Sequence, residues 1–333
     1  MSANMGERRG FNIEKWGAPI ALVVLLLIAI VVGWPHFHKP QNLINVMRQA
    51  SYTGIIALSM TFVIISGGID LSVGSLAAFC ASIGVLFMNW LLGNGWSEFW
   101  AVVVGGIATS IIVGGVCGAA NGILITWGKI VPFIVTLGTM SIFRYLCLQM
   151  ANAGEFASKS QLFSRFGAAS LFQFTVEKHR ISLPVPIFTL IILAAILSFL
   201  LKNTRYGRYL CAVGSNAKVA QYSAIRVGRV RLWAYVINGL CVGVAATLLA
   251  ARFNTVSTPN FGLSFEMDAI AAVIIGGTVM AGGRGTVWGT VIGCFMLQII
   301  QNMLNMAGIS PYWQGVVKGM VIIVSVYIQK QKQ

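Results

Sequence analysis

Ten apolar runs separated by short polar joints dominate this chain: roughly residues 17–34, 50–66, 72–92, 99–127, 131–150, 185–201, 232–251, 266–281, 286–304 and 312–328. A helix that crosses a hydrocarbon core of about 30 Å needs about 20 mostly apolar residues. Ten such spans use about 200 residues, which leaves room for joints but for no sizeable soluble domain. Composition agrees, since 57% of the 333 residues are hydrophobic, 9% are charged and mean hydropathy is +0.82. An ordinary soluble domain carries about 25% charge. With eight acids and twenty-three bases, a soluble chain of this length would expose apolar patches large enough to aggregate. Disorder is excluded by the same figures. The sequence therefore predicts an all-α polytopic membrane protein: a single transmembrane domain over 1–333 with about ten spanning helices.

The first span follows Arg8, Arg9 and Lys15 and has no A-x-A-like cleavage site after it. It reads as an uncleaved anchor behind a tail over 1–16. All eight prolines fall at or beyond an edge of a proposed span, where a missing N–H does no harm. Placing both termini in the cytoplasm puts 14 bases inside: Arg8, Arg9, Lys15, Lys129, Arg284, Lys330, Lys332 and seven within 202–231. Those seven are Lys202, Arg205, Arg208, Lys218, Arg226, Arg229 and Arg231, with no acid among them. Positive-inside bias makes 202–231 a cytoplasmic loop and 151–184 an outer one. A net charge of +15 spread between apolar runs forms no folded basic face, so membrane lipid, not nucleic acid, is the expected surrounding. The run 99–127 is too long for one core and must tilt, protrude or break, with Gly114-Gly115 the expected break.

Glycines carry a second pattern. Gly67, Gly68, Asp70, Ser72 and Gly74 belong to GGIDLSVGS (67–75), and Gly282, Gly283, Gly285 and Gly289 to GGRGTVWGT (282–290). Each motif follows one apolar run and precedes another. Double glycine there reads as an interrupted helix or re-entrant turn, which can line a substrate site, or as a plain interhelical joint. Gly114, Gly118 and Gly122 recur every four residues, so a neighbouring helix can approach closely, as static packing or as a sliding face. Charges at membrane depth are few: Asp70, Arg144, Glu266, Asp268 and Lys318. They read as helix-to-helix pairs and gate supports, because no array of carboxylates or histidines forms a proton relay.

Enzyme chemistry finds no support. H-E-x-x-H, G-x-S-x-G and G-x-x-x-x-G-K-[ST] are all missing. The six cysteines are widely spaced, with no C-x-x-C, so no metal site is expected. In the basic loop, Ser215 and Asn216 are N-cap candidates for a short helix from Ala217 to about Ile225, set between glycine turns at Gly214 and Gly228. Such a helix is a lever for a docked subunit, or the loop merely fixes topology.

Three stretches carry a family likeness: GGIDLSVGS, the pattern T-R-x-G-R-x-x-x-A-x-G-x-N from Thr204 to Asn216, and FEMDAIAAVIIGGTVMAGGRGTVWGT over 265–290. From about residue 40 onward the chain resembles ATP-binding-cassette importer permeases for monosaccharides, the ribose, xylose and arabinose group. The resemblance implies a ten-helix importer fold in the bacterial inner membrane and a second permease chain. It also implies a cytoplasmic ATPase that binds the ATP and Mg, no cofactor in this chain, and an external sugar-binding protein. Thr204, Gly207, Arg208, Gly214, Asn216, Ala220 and Ile225 fall in the region implied to contact the ATPase. Ser72, Asn121, Thr136 and Phe265 are candidates for the wall of a path taken by a neutral sugar. A permease of the same kind for another solute (a nucleoside, a branched-chain amino acid or a signalling sugar derivative) and a carrier or channel without an ATPase are the alternatives.

Overall fold

The computed structural model describes residues 13–33, 37, 39–176 and 179–330. Most of the proposed tail 1–16, with Trp34, Pro35, His36 and His38, lies outside the described residues. The chain begins with α1 (Ile13–Val32), α2 (Pro40–Ile65) and α3 (Val73–Gly93). A short α4 (Glu98–Trp100) runs through a π-helical stretch, Ala101–Ala108, into α5 (Thr109–Thr126), and α6 (Pro132–Met150) follows. Prolines open α2 and α6, where the first N–H has no intrahelical partner to lose. Pro19 departs from the expectation: α1 starts ahead of the apolar run, so this proline sits inside the helix and not at its edge.

The long fourth run stays helical through Gly114-Gly115, and its irregularity lies earlier. Thr109 sends both its N–H and its hydroxyl to the Val104 carbonyl, five residues back, the hydroxyl at 2.7 Å. That register is the π-helical one. The glycines do different work here. Gly114 and Gly118 press on the carbonyls of Gly239 and Tyr235 in α11 (Val227–Phe253), and a Cβ at either position would collide with main chain. Backbone-to-backbone approach of this kind needs small residues on both helices, and α5 with α11 is the largest helix pair in the fold.

Between α6 and the next long helix the expected outer loop 151–184 is structured. It holds β1 (Glu155–Ala157), α7 (Gln161–Ala168) and an antiparallel hairpin of β2 (Ser170–Val176) with β3 (His179–Pro184). Ser160 caps α7 by accepting the Phe163 N–H, and Glu98 accepts the Ser160 hydroxyl and the Leu162 N–H, both at 2.8 Å. Strand β1 pairs antiparallel with β4 (Thr255–Ser257), 100 residues away, with Glu155 opposite Ser257.

After α8 (Val185–Asn203) the basic segment folds as two helices, α9 (Arg205–Ser215) and α10 (Ala217–Tyr222), before α11. Asn216 caps α10 as expected, accepting from Lys218 and Val219 N–H at 3.1 Å. The rest differs. A helix over 205–215 precedes it, capped by Thr204 and holding Leu210 and Val213 against the core. Helix α10 stops at Tyr222, three residues short of Ile225. Gly214 and Gly228 lie within helices, and the left-handed turn falls instead on Ala224, at φ +60°.

Three elements complete the chain: α12 (Phe265–Ile275), α13 (Val287–Met306) and α14 (Pro311–Lys330). Among the described residues, seven helices are long and apolar enough to cross a membrane: α2, α3, the Glu98–Thr126 run, α6, α8, α11 and α13. The expected span 266–281 is helical only to Ile275, and its 11 residues rise about 16 Å. From Gly276 the chain turns, with Gly277, Gly282 and Gly283 at positive φ. The core centres on α2, whose residues from Ile55 to Ile65 are all buried, enclosed by α8, α11, α12 and α13.

Candidate functional site

Helix α2 ends at Ile65, and residues 66–72 run without helix to the start of α3. This first glycine motif lies along α11. Arg231 Nε donates to the Ser66 carbonyl at 3.3 Å, and the Tyr235 hydroxyl reaches the Ile69 carbonyl at 3.4 Å. Gly68 sits so near that hydroxyl that a Cβ would lie 2.6 Å from it.

Asp70 of the same motif meets α11 one turn further on, at Asn238, and is 1% exposed. Its Oδ1 accepts the Ser72 N–H at 2.9 Å and the Ser72 hydroxyl at 2.6 Å, which closes the turn that opens α3. Its Oδ2 accepts from Asn238 Nδ2 at 2.9 Å, while Asn238 Oδ1 accepts the Ser59 hydroxyl at 2.9 Å. Asn121 Nδ2 donates to Ser72 Oγ at 3.0 Å. A single carboxylate thus joins α2, α3, α5 and α11 through neutral donors. A charge at membrane depth is costly unless such donors surround it. Asn121 Oδ1 is buried beside this network and has no hydrogen-bond partner among the described residues. Thr136 adds α6, through a hydroxyl 3.0 Å from the Pro132 carbonyl and 3.4 Å from that of Ile69.

The second glycine motif and the basic segment meet at the end of α2. Gly283 N–H donates to the Ile65 carbonyl at 2.9 Å. Gly214 of α9 closes on the same carbonyl and on the Gly283 nitrogen, so a methyl group there would strike main chain. Gly283 in turn faces Ser215, and Gly285 lies against Thr278 and the Ile65 side chain. The motif is a closed turn, with Val279 N–H on the Arg284 carbonyl and Gly282 N–H on that of Val279, both at 3.0 Å. Thr286 then caps α13, accepting the Gly289 N–H at 3.1 Å. The Thr61 and Thr290 hydroxyls, 2.8 Å apart, bind α2 to α13.

Other charged candidates form separate groups. Arg144 Nη1 donates to the carbonyls of Thr258 and Phe261 at 2.8 and 3.0 Å, which ties α6 to the segment between β4 and α12. Gly74 approaches the Gly262 carbonyl and Glu266 in the same region. Lys318 of α14 pairs with Asp268 of α12 at 2.9 Å, with side chains 25% and 15% exposed.

Residues 42–326 match the family described as branched-chain amino acid transport system / permease component. The chain belongs to that family. This permease is 38% identical over 319 residues to the ribose import permease protein RbsC of Bacillus subtilis (strain 168), across 96% of this chain and 94% of that one. It is 35% identical over 334 residues to the D-allose transport system permease protein AlsC of Escherichia coli (strain K12), across 99% and 97%. Identity to the xylose transport system permease protein XylH of the same strain is 28% over 381 residues, across 98% and 94%. No solved structure matches the chain. With its apolar helices, the family makes this a multi-pass membrane protein.

The permease brings some predicted residues together and leaves others apart. Asp70, Ser72 and Asn121 share one network, with Thr136 at its edge. Gly214, Gly282, Gly283 and Gly285 share the Ile65 junction. Phe265 is half-buried in the opening turn of α12, where its N–H meets the Gly262 carbonyl, outside both groups. On α9 and α10, Gly207 and Ala220 face inward while Arg208, Asn216, Val219 and Tyr222 are exposed. Sequence reasoning missed Ser59, Tyr235 and Asn238. Asn238 had a signal, since it is a lone amide inside the apolar run 232–251, and such amides bond across helices. Ile65 had none, because its part is played by a carbonyl.

Proposed function

We propose that this permease forms the translocation path of an ATP-driven, binding-protein-dependent importer of a ribose-like monosaccharide in the bacterial inner membrane. The carrying observation is identity of 38% and 35% along nearly the whole length of a ribose and a D-allose permease. On this reading α1, α12 and α14 join the seven long helices as membrane segments. Both termini and α9–α10 are cytoplasmic, and the hairpin and the β1–β4 pair face outward. A second permease chain completes the path.

An external sugar-binding protein delivers its load to the outer face. A cytoplasmic ATPase, which binds the ATP and Mg, docks on the exposed side of α9–α10. Its movement reaches α2 and the second glycine motif together through the Ile65 junction. The two glycine motifs act as re-entrant joints whose hydrogen bonds close internally, as non-helical backbone at membrane depth requires. Ser72, Asn121 and Thr136 supply neutral polar groups suited to sugar hydroxyls.

The family description favours a second reading, a branched-chain amino acid as solute. Uptake of labelled ribose by the reconstituted complex separates the two. Competition by unlabelled ribose or D-allose and indifference to leucine are expected. Competition by leucine alone overturns the sugar reading, and ribose uptake without nucleotide overturns the ATP-driven one.

A further inference from the structure

A cavity of about 350 Å³ opens between the joint that follows α5, the start of α6 and the start of α11. Its lining includes Lys129, Arg231, Ile130, Val131 and Val227. Among the described residues, none of Asp70, Glu98, Glu155, Glu266 and Asp268 lines this cavity. Among the described residues neither Lys129 nor Arg231 forms an ion pair. Arg231 is anchored through Nε to the Ser66 carbonyl, and its side chain forms part of the cavity wall. Lys129 stands at φ +55°, in the left-handed region that a lysine rarely adopts. Such strain concentrates at ligand clamps.

The rim of the cavity is apolar and uncovered. Trp127 is 71% exposed, and Ile130, Val131 and Phe133 are exposed beside it. An indole and aliphatic groups next to bases form the amphipathic belt found where a helix bundle leaves the bilayer. We propose that this cavity binds the phosphate of an anionic phospholipid headgroup, with Lys129 and Arg231 as its cationic partners and the acyl chains lying along the exposed residues Ile123, Leu124 and Phe133. Basic pockets between membrane helices hold such headgroups. The proposal rests on the membrane reading above, and the orientation given there assigns the lipid to the cytoplasmic leaflet. A soluble anion has no use for the apolar rim. Through Arg231, an occupied site braces the backbone of the first glycine motif at Ser66.

The test is lipid retention by the purified complex in detergent, read by native mass spectrometry, with no sugar and no nucleotide present. Probes are phosphatidylglycerol, phosphatidylcholine of the same chains, and free glycerol 3-phosphate. Preferential retention of phosphatidylglycerol is expected, with a loss of roughly fivefold for each base neutralised, in Lys129→Gln and in Arg231→Gln. Lys129 is exposed, so its variant reports even where the Arg231 change disturbs folding. Lys218→Gln, which removes an exposed base on α10, should leave retention unchanged. Equal retention of the two lipids overturns the proposal. So does an equal loss in Lys218→Gln, which would show diffuse attraction, or displacement by glycerol 3-phosphate at equal concentration, which would show a soluble-anion site. Because the readout involves no transport, its failure leaves the importer reading standing.

Discussion

Gly214 and Gly283 converge on the carbonyl of Ile65, one by close approach and the other by a 2.9 Å hydrogen bond. A side chain on Gly214 must push α9 away from the end of α2. Gly214→Ala is expected to cost about 1 to 3 kcal/mol through overpacking, enough to lower nucleotide-driven uptake roughly tenfold or more. Membrane insertion and sugar capture by the external protein should persist. Normal uptake in this variant would remove the junction from the coupling route.

Asn238 serves two partners with one amide, donating to Asp70 and accepting from Ser59. Asn238→Ala strands the buried Oδ2 of Asp70, a loss of about 1 to 3 kcal/mol. The thermal midpoint of the detergent-solubilised protein should fall. In a double-mutant cycle with Asp70→Asn, the two changes together should cost clearly less than their sum. Strict additivity would show that the bond contributes nothing.

Arg144 reaches two carbonyls through Nη1, at the end of a side chain longer than lysine's and held in a planar guanidinium. Arg144→Lys should loosen the segment over 258–264. Faster amide exchange at those residues than in the parent protein is the expected result, with exchange in α2 unchanged.

Asp268 and Lys318 join α12 to α14. Either Asp268→Asn or Lys318→Gln leaves a partly buried charge alone and should reduce stability, while the exchange Asp268→Lys with Lys318→Asp restores part of it. Thermal unfolding of the three variants decides the matter, and three midpoints equal to the parent's would mean a pair without energetic weight.

Cys211 belongs to α9, and burial pushes its thiol above the usual range. The nucleophile in maleimide labelling is the thiolate, so a raised pKa lowers its fraction at pH 7. Labelling should be slower there than at Lys218→Cys, and the gap should narrow as pH rises. Equal rates at pH 7 would contradict the packing of α9.

Much of this fold is legible in periodicity, because long helices in a membrane announce themselves by length and apolarity. Pro40 and Pro132 mark helix starts, and Asn216 caps α10 where Ser, Thr, Asn or Asp was required. Helix α9 escaped because its pattern is short and amphipathic among seven bases, which read first as a charge run. The strand pair 155–157 with 255–257 could not be seen, since its partners are three residues long and 100 residues apart. For the candidate site, Asp70 and the glycines were visible as charges and spacings out of place. Their gathering at Ile65 was not, because a carbonyl acceptor carries no side-chain signature.

That strand pair has a consequence for whatever lands on its face. Two segments from distant parts of the chain are already zipped together, held by Arg144 on the carbonyls just past β4 and by Asn89, which donates to the Ala157 carbonyl of β1 at 2.9 Å. A visiting protein would not have to freeze loose loops on arrival, so little association free energy is lost to ordering this surface. On the orientation proposed above, an external binding protein would meet a surface already in its bound shape, which favours fast recognition.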